Sequence, residues 1–190
     1  MRLGEAYALS LSGRREEAKR VIAAIEAIPG ALTVAPPAGF ASVESSLTLL
    51  RAVFPDGDHG AGLRAAERAV ELEEEGSPWR AVACSVMGRE CFYGGDFDEA
   101  DRWLSEACSL APAAGQWITA VTALAYRSLI AGVQGRHADC RDVAERAARL
   151  ARDHGLEAVV GPQHLAEAVS SLEEGDVERA LAQAEEGAEK

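Results

Sequence analysis

Aromatic residues make up only 5% of the 190 positions, and β-branched runs are few, so the chain has little of what a pleated, half-buried sheet surface packs with. No apolar stretch approaches the roughly 18 to 20 residues that span a bilayer. The first residues show no cationic segment leading into the short apolar core of a secretory leader, and a cytoplasmic location without membrane contact is the expectation. Positive charge is also scarce. Nineteen Lys and Arg stand against 31 Asp and Glu, a formal net charge of −12, and a field of that sign repels a phosphate backbone. Direct nucleic-acid contact is therefore not expected.

Chemistry-bearing patterns are missing as well. The sequence contains no GxxxxGK[ST] phosphate loop and no basic recognition helix. Cys84, Cys91, Cys108 and Cys140 include no CxxC pair and read as buried thiols acting as small hydrophobes. His59, His137, His154 and His164 share no ligand spacing and read as surface or turn residues. Cys84 and Cys91 lie on one helical face, but no histidine is placed beside them by sequence. The acidic runs Glu73-Glu74-Glu75 and Glu185-Glu186 read as solvated helix ends. With no nucleophile and base, metal cluster or carboxylate pair at working spacing, the expectation is no enzyme, no metal and no cofactor.

What is abundant is alanine and leucine, within a chain that is 48% hydrophobic and 26% charged. That balance is globular, and its composition favours helix. The phrases Gly-Asp-Phe-Asp-Glu-Ala from Gly95, Gly-Arg-His-Ala-Asp-Cys from Gly135 and Gly-Asp-Val-Glu-Arg-Ala from Gly175 recur at a step of 40 residues. Each is a turn glycine, a polar helix start and a small residue, at Ala100, Cys140 and Ala180. Earlier copies sit at Gly13 with Ala18 and, more loosely, at Gly57 with Gly62, giving steps of 44, 38, 40 and 40. Such periods mark stacked helix pairs. Two antiparallel helices approach closely only where no bulky side chain intervenes, which is a reason for the small residue.

Apolar spacings of three and four draw one stripe per helix. Leu3, Tyr7 and Leu11 are followed by Ala18, Ile22, Ile25 and Ile28; Pro29-Gly30 stops that helix, and 31–39, with Pro36 and Pro37, reads as a loop or spacer. A helix over 40–54 carries Val43, Leu47, Leu50 and Phe54, and its partner runs over 62–75. Pro78 stands in a favourable place to open the third pair. Asp96 with Glu99 forms a box-like cap for that pair's second helix, which ends at Pro112. The fourth pair spans 116–155, and a fifth starts near Gly161. The prediction is an all-α, right-handed superhelix of about five antiparallel helix pairs, one helical-repeat domain over 1–190 that is a fragment of a longer chain.

The third pair resembles the tetratricopeptide repeat through Gly88 on its first helix, Gly95 at the turn, Ala100, Leu104 and Ala107 on its second, and Pro112 at the end. It departs from that family at Cys84 and Cys91, where large aromatics are usual. The fourth pair has Ser128 and Arg152 in place of a glycine and a proline. The longer step and phrases such as Ala-Glu-Arg-Ala-Ala-Arg-Leu-Ala-Arg-Asp-His-Gly-Leu at 144–156 resemble the helical-repeat region of large LuxR-family bacterial regulators of the maltose-regulon activator type. That resemblance implies a module between a nucleotide-binding domain and a helix-turn-helix, receiving a partner protein, a peptide or a small inducer.

It also implies that the first helix of each pair lines a concave surface. Carrying the groove positions over places Tyr7, Glu44, Arg51, Arg89, Phe92, Tyr93, Thr122 and Leu165 among the residues on it. Arg51 and Arg89 occupy matching places in successive pairs, where two guanidinium groups would grip a carboxylate or phosphate, and Phe92 and Tyr93 would supply an aromatic wall. In the plainer reading both arginines pair with acids such as Glu44 and Glu90, and Phe92 is core. Trp79, Trp103 and Trp117 read as packing between neighbouring helices. The functional expectation is a non-catalytic sensor or interaction module of a transcriptional regulator, which also contacts other domains of its chain and possesses exposed ends open to homo-oligomerisation. The alternative is a general protein-interaction scaffold unconnected with transcription.

Overall fold

The structure, a computed structural model, describes residues 2–54, 59–156 and 161–188. Among these residues the fold is all-α, as the composition predicts. Its helices are α1 (Leu3–Leu11), α2 (Arg15–Glu26), α3 (Val43–Val53), α4 (His59–Leu72), α5 (Arg80–Gly94), α6 (Phe97–Leu110), α7 (Trp117–Val133), α8 (His137–His154), α9 (Gly161–Glu173) and α10 (Val177–Ala188), with a short 3-10 turn at Ala31–Thr33. No described helix is long and apolar enough to cross a membrane.

The repeated phrases are the hairpin turns. Gly13, Gly95, Gly135 and Gly175 have φ of 72°, 82°, 71° and 83°, left-handed values that cost a residue with a Cβ about 1 kcal/mol or more. Left-handed backbone at this point lets the next N–H turn back and satisfy a carbonyl of the finished helix. Arg14 donates to Leu9 (2.9 Å), Asp96 to Cys91 (3.0 Å), Arg136 to Ala131 (2.8 Å) and Asp176 to Ser171 (3.0 Å). The small residue of the phrase then closes the first bond of the new helix, as in Ala100 to Asp96 at 2.9 Å and Cys140 to Arg136 at 2.9 Å. Ala18, Ala100, Cys140 and Ala180 are all buried. Gly57, the loosest copy, lies outside the described residues.

The cap at Asp96 is half of what its spacing suggests. Its side chain accepts from the Glu99 N–H at 3.2 Å, but Asp96's own N–H is spent on Cys91, so Glu99 turns to Arg102 and to the Trp103 indole (2.8 Å) instead.

The chain divides into two compact units within α5, Met1–Val86 and Met87–Lys190. In the first, α1, α2 and α3 enclose Ala6, Leu9, Val21, Ile22, Ile25, Leu47 and Leu50. The proline-bearing stretch before α3 is anchored rather than a spacer. Val43 N–H donates to Val34 C=O (2.8 Å), the Phe40 ring stacks on Trp79 with centroids 4.0 Å apart, and the Trp79 indole donates to Ala38 C=O at 2.8 Å. Ser42 caps α3 by accepting from Ser45 N–H at 3.0 Å, which starts that helix later than its apolar stripe indicates.

Glu73 corrects the expectation of a solvated acidic run. It is fully buried, accepting from Ala41 N–H at 3.2 Å and from the hydroxyls of Ser45 and Ser77. Arg80 donates to the carbonyls of Val70 (2.9 Å) and Glu73 (3.1 Å), supplying positive charge at the end of α4. A buried carboxylate is tolerable only with its oxygens occupied, and here it ties the loop, α3 and the end of α4 together.

In the second unit, the first helix of the fourth pair is enclosed and its second helix is one-sided. α7 touches α6, α8 and α9 and buries Ala120, Val121, Ala123, Leu124, Ala125, Tyr126, Ser128, Ile130 and Ala131. α8 buries only Cys140, Ala144, Ala147, Ala148 and Ala151, an alanine stripe under a charged outer face. Gly88 shows how close the helices come: a Cβ built there would lie 2.5 Å from Leu104 Cγ and 3.1 Å from Ala100 C=O. Ser128 corresponds to Gly88, and its hydroxyl donates to Cys140 C=O at 2.8 Å.

Two further expectations need correction or refinement. His164 is buried rather than on the surface, with Nδ1 at 3.7 Å from Glu167 and 3.8 Å from Glu186; Leu165, its exposed neighbour, takes the outward face of α9. His137 and His154 are exposed, and the His59 side chain lies outside the described residues. Trp117 stacks on His154 across one hairpin, centroids 3.9 Å apart. Trp103 donates to Glu99 at 2.8 Å and has Arg102 4.1 Å over its ring.

Candidate binding surface on the third hairpin

The aromatic residues of this chain are few, and four of them meet in the second unit. Phe92 and Tyr93, in the last turn of α5, stand with ring centroids 5.6 Å apart. Phe92 also meets Phe97 at 5.8 Å and Tyr126 of α7 at 5.3 Å, tilted and edge-on arrangements that suit aromatic quadrupoles. Tyr93 crosses Tyr126 at 88° with centroids 6.1 Å apart, and the two hydroxyls lie 2.9 Å from each other. Tyr126 is buried at 5% exposure, whereas Tyr93 is 60% exposed. The outer ring is thus held by an inner one.

Arg89 lies one turn back on α5. It binds the carboxylate of Glu90 through Nε (3.1 Å) and through a terminal nitrogen (2.8 Å), and both side chains are largely buried. Removing one partner of a charge pair withdrawn from water would leave the other buried and uncompensated. The Tyr126 hydroxyl is pushed well above the ordinary phenol range, first by burial and then by its bond to Tyr93, with nearby Glu90 adding to the effect and Arg89 opposing it. Tyr126 therefore stays a neutral phenol able to donate or accept.

Of the four residues singled out from the sequence, Arg89, Phe92 and Tyr93 come together on one stretch of α5. Arg51 belongs to the other unit, where it is half exposed on α3 and pairs with Glu26 at 2.7 Å. It borders a cavity of about 250 Å³ with Arg15, Lys19, Ile22 and Phe54. Glu44, the acid considered for Arg51, binds Arg68 instead at 2.8 Å. Both arginines are thus occupied by carboxylates of their own unit. Sequence reasoning missed Tyr126, although it is one of only three tyrosines, a rarity that is itself a signal. Among the described residues no group of three or more His, Cys, Asp or Glu is placed to hold a metal ion, and all four cysteines are free, with only Cys108 not buried.

Short glycine turns joining antiparallel helices, with small residues buried where the two approach, define the class: a helical-hairpin repeat protein. Residues 49–189 match the family model of the MalT-like TPR region, and the chain belongs to that family. No curated protein matches it.

Proposed function

We propose that this chain is the sensor or interaction module of a cytoplasmic LuxR-family transcriptional regulator. In this reading it is not an enzyme and has no cofactor. It docks a partner protein, a peptide or a small inducer against the first helix of the third hairpin, and communicates with other domains of its own chain that carry the DNA contact. Membership of the MalT-like TPR family supports the regulatory setting. The observation that carries the site is Tyr93, a large ring exposed to solvent yet fixed by ring packing and a hydroxyl contact to buried Tyr126. A rigid amphipathic ring binds with little further loss of side-chain entropy, which is why tyrosine is enriched at binding hot spots. Arg89 beside it adds a guanidinium, a group whose geometry suits a carboxylate or phosphate.

A thermal-shift screen of the folded chain against sugars, carboxylates, nucleotides and short peptides tests this reading, repeated with Tyr93→Ala, Arg89→Ala and Arg51→Ala. The expected result is stabilisation by one class that the first two substitutions abolish. A stabilising compound indifferent to both substitutions would place recognition elsewhere.

A further inference from the structure

α7 shows Tyr126 to α5, but a different face of the same helix borders an open depression of about 260 Å³ formed with the end of α6 and the last turns of α8. Its walls are of two kinds. Pro112, Leu124 and Leu150 supply an apolar side, while Arg146, Arg149 and Asp153 line the other. Arg146 and Arg149 are three apart on α8 and so project from one face. Although acids outnumber bases by 31 to 19 in this chain, neither arginine has an ion pair or a hydrogen bond among the described residues. Two guanidinium groups against one carboxylate leave the lining with an excess of positive charge.

We propose that this depression binds a small organic monoanion, its carboxylate gripped between Arg146 and Arg149 and its apolar body laid against Pro112, Leu124 and Leu150. The excess charge matches one negative charge, and planar guanidinium forks match a carboxylate better than a point cation would. The volume lies just below the roughly 300 to 1,000 Å³ of drug-sized pockets, so the body is of the size of a phenyl ring or a short alkyl chain. Asp153 at the same wall disfavours a dianion by like-charge repulsion. This site is independent of the reading of Tyr93 and Arg89, since it shares no residue with them.

Cys108 provides the means to test it, because it lines the depression and is the only half-exposed thiol, Cys84, Cys91 and Cys140 being buried. Burial pushes the Cys108 thiol up, with Arg127 and Arg146 pulling the other way, so labelling of the folded chain by a maleimide reads both access and local charge. The rate is measured in benzoate and hexanoate, with acetate as head alone, hexanol as body alone and inorganic phosphate as the competing anion. Benzoate or hexanoate is expected to slow labelling saturably, by about tenfold at ten times the half-saturating concentration, and acetate and hexanol are expected to have little effect. The Arg146→Ala/Arg149→Ala double variant, altered only at exposed positions, is expected to keep its helical circular dichroism and lose the protection. No saturable protection by either carboxylate, protection that survives in the double variant, or protection by phosphate in place of the carboxylates would each overturn the proposal.

Discussion

Where α5 approaches α6, Gly88 meets the side chain of Leu104; one repeat further on, α7 and α8 hold Ser128 and Ala144 at the same two positions. The third hairpin fills its crossing from the second helix, with a glycine opposite a leucine. The fourth divides the space more evenly and adds a hydroxyl bond from Ser128 to Cys140 C=O at 2.8 Å. Leu104 and Ser128 are both fully buried, and so is Ala100 beside Gly88. The repeat therefore keeps a backbone register rather than a residue, which is why a glycine missing from the fourth hairpin does not break the pattern.

Removing the larger partner breaks the comparison most severely. Leu104→Ala leaves a cavity opposite a glycine that cannot fill it, with an expected loss of about 3 kcal/mol, or roughly 6 to 12 °C in Tm for a chain of this size, measured by calorimetry. The corresponding alanine of the fourth hairpin is already the native residue, so the effect is specific to the third. Gly88→Ala acts in the opposite sense, by overpacking. Its Cβ meets Leu104 Cγ at 2.5 Å, and a cost of about 1 to 3 kcal/mol, offset by about 1 kcal/mol of helix propensity, is expected in urea unfolding. Combining Gly88→Ser with Leu104→Ala installs the fourth hairpin's solution in the third, and the double variant is expected to lose less stability than the two single variants added together.

Across the two hairpins, Tyr126 makes alkaline pH a probe of the contact with Tyr93. Its folded-state pKa is raised above the unfolded value, so the folded state holds the proton more tightly and stability falls as pH rises above the ordinary phenol range. Ultraviolet titration is expected to show a tyrosine resisting ionisation until unfolding, and Tyr126→Phe is expected to weaken that alkaline loss. The smallest effect belongs to Ser128→Ala. Cys140 C=O loses one bond of the two a carbonyl can accept, and about 1 kcal/mol is expected, again by urea unfolding.

What the sequence makes legible is what a short segment decides. A left-handed turn and a close helix approach require glycine and a small residue at fixed positions, and these are visible as the recurring phrase. Long-range partners are not visible in this way. Glu73 looks like the first of three surface acids because Ala41, the backbone donor that it meets, is 32 residues away, in a loop with no periodic signal. Arg51 finds Glu26 on α2 rather than Glu44 on its own helix, a choice set by which hairpin lies beside α3. The aromatic wall was half legible. Phe92 and Tyr93 stand adjacent in sequence, but the ring that orients them comes from α7, and only the packing of that helix turns Tyr126 inward while Thr122 stays partly exposed. His164 reads as surface until α10, which brings Glu186, is folded against it.

The proposal that recognition resides on α5 is tested most directly by the affinity of the best ligand from the screen, measured for the native chain, Tyr93→Ala and a control at Leu11, an exposed apolar residue of the first unit. The account predicts that Tyr93→Ala weakens binding by about tenfold or more, as expected when a binding hot spot is lost, with Leu11→Ala unchanged. Equal affinity for the native chain and Tyr93→Ala would contradict it.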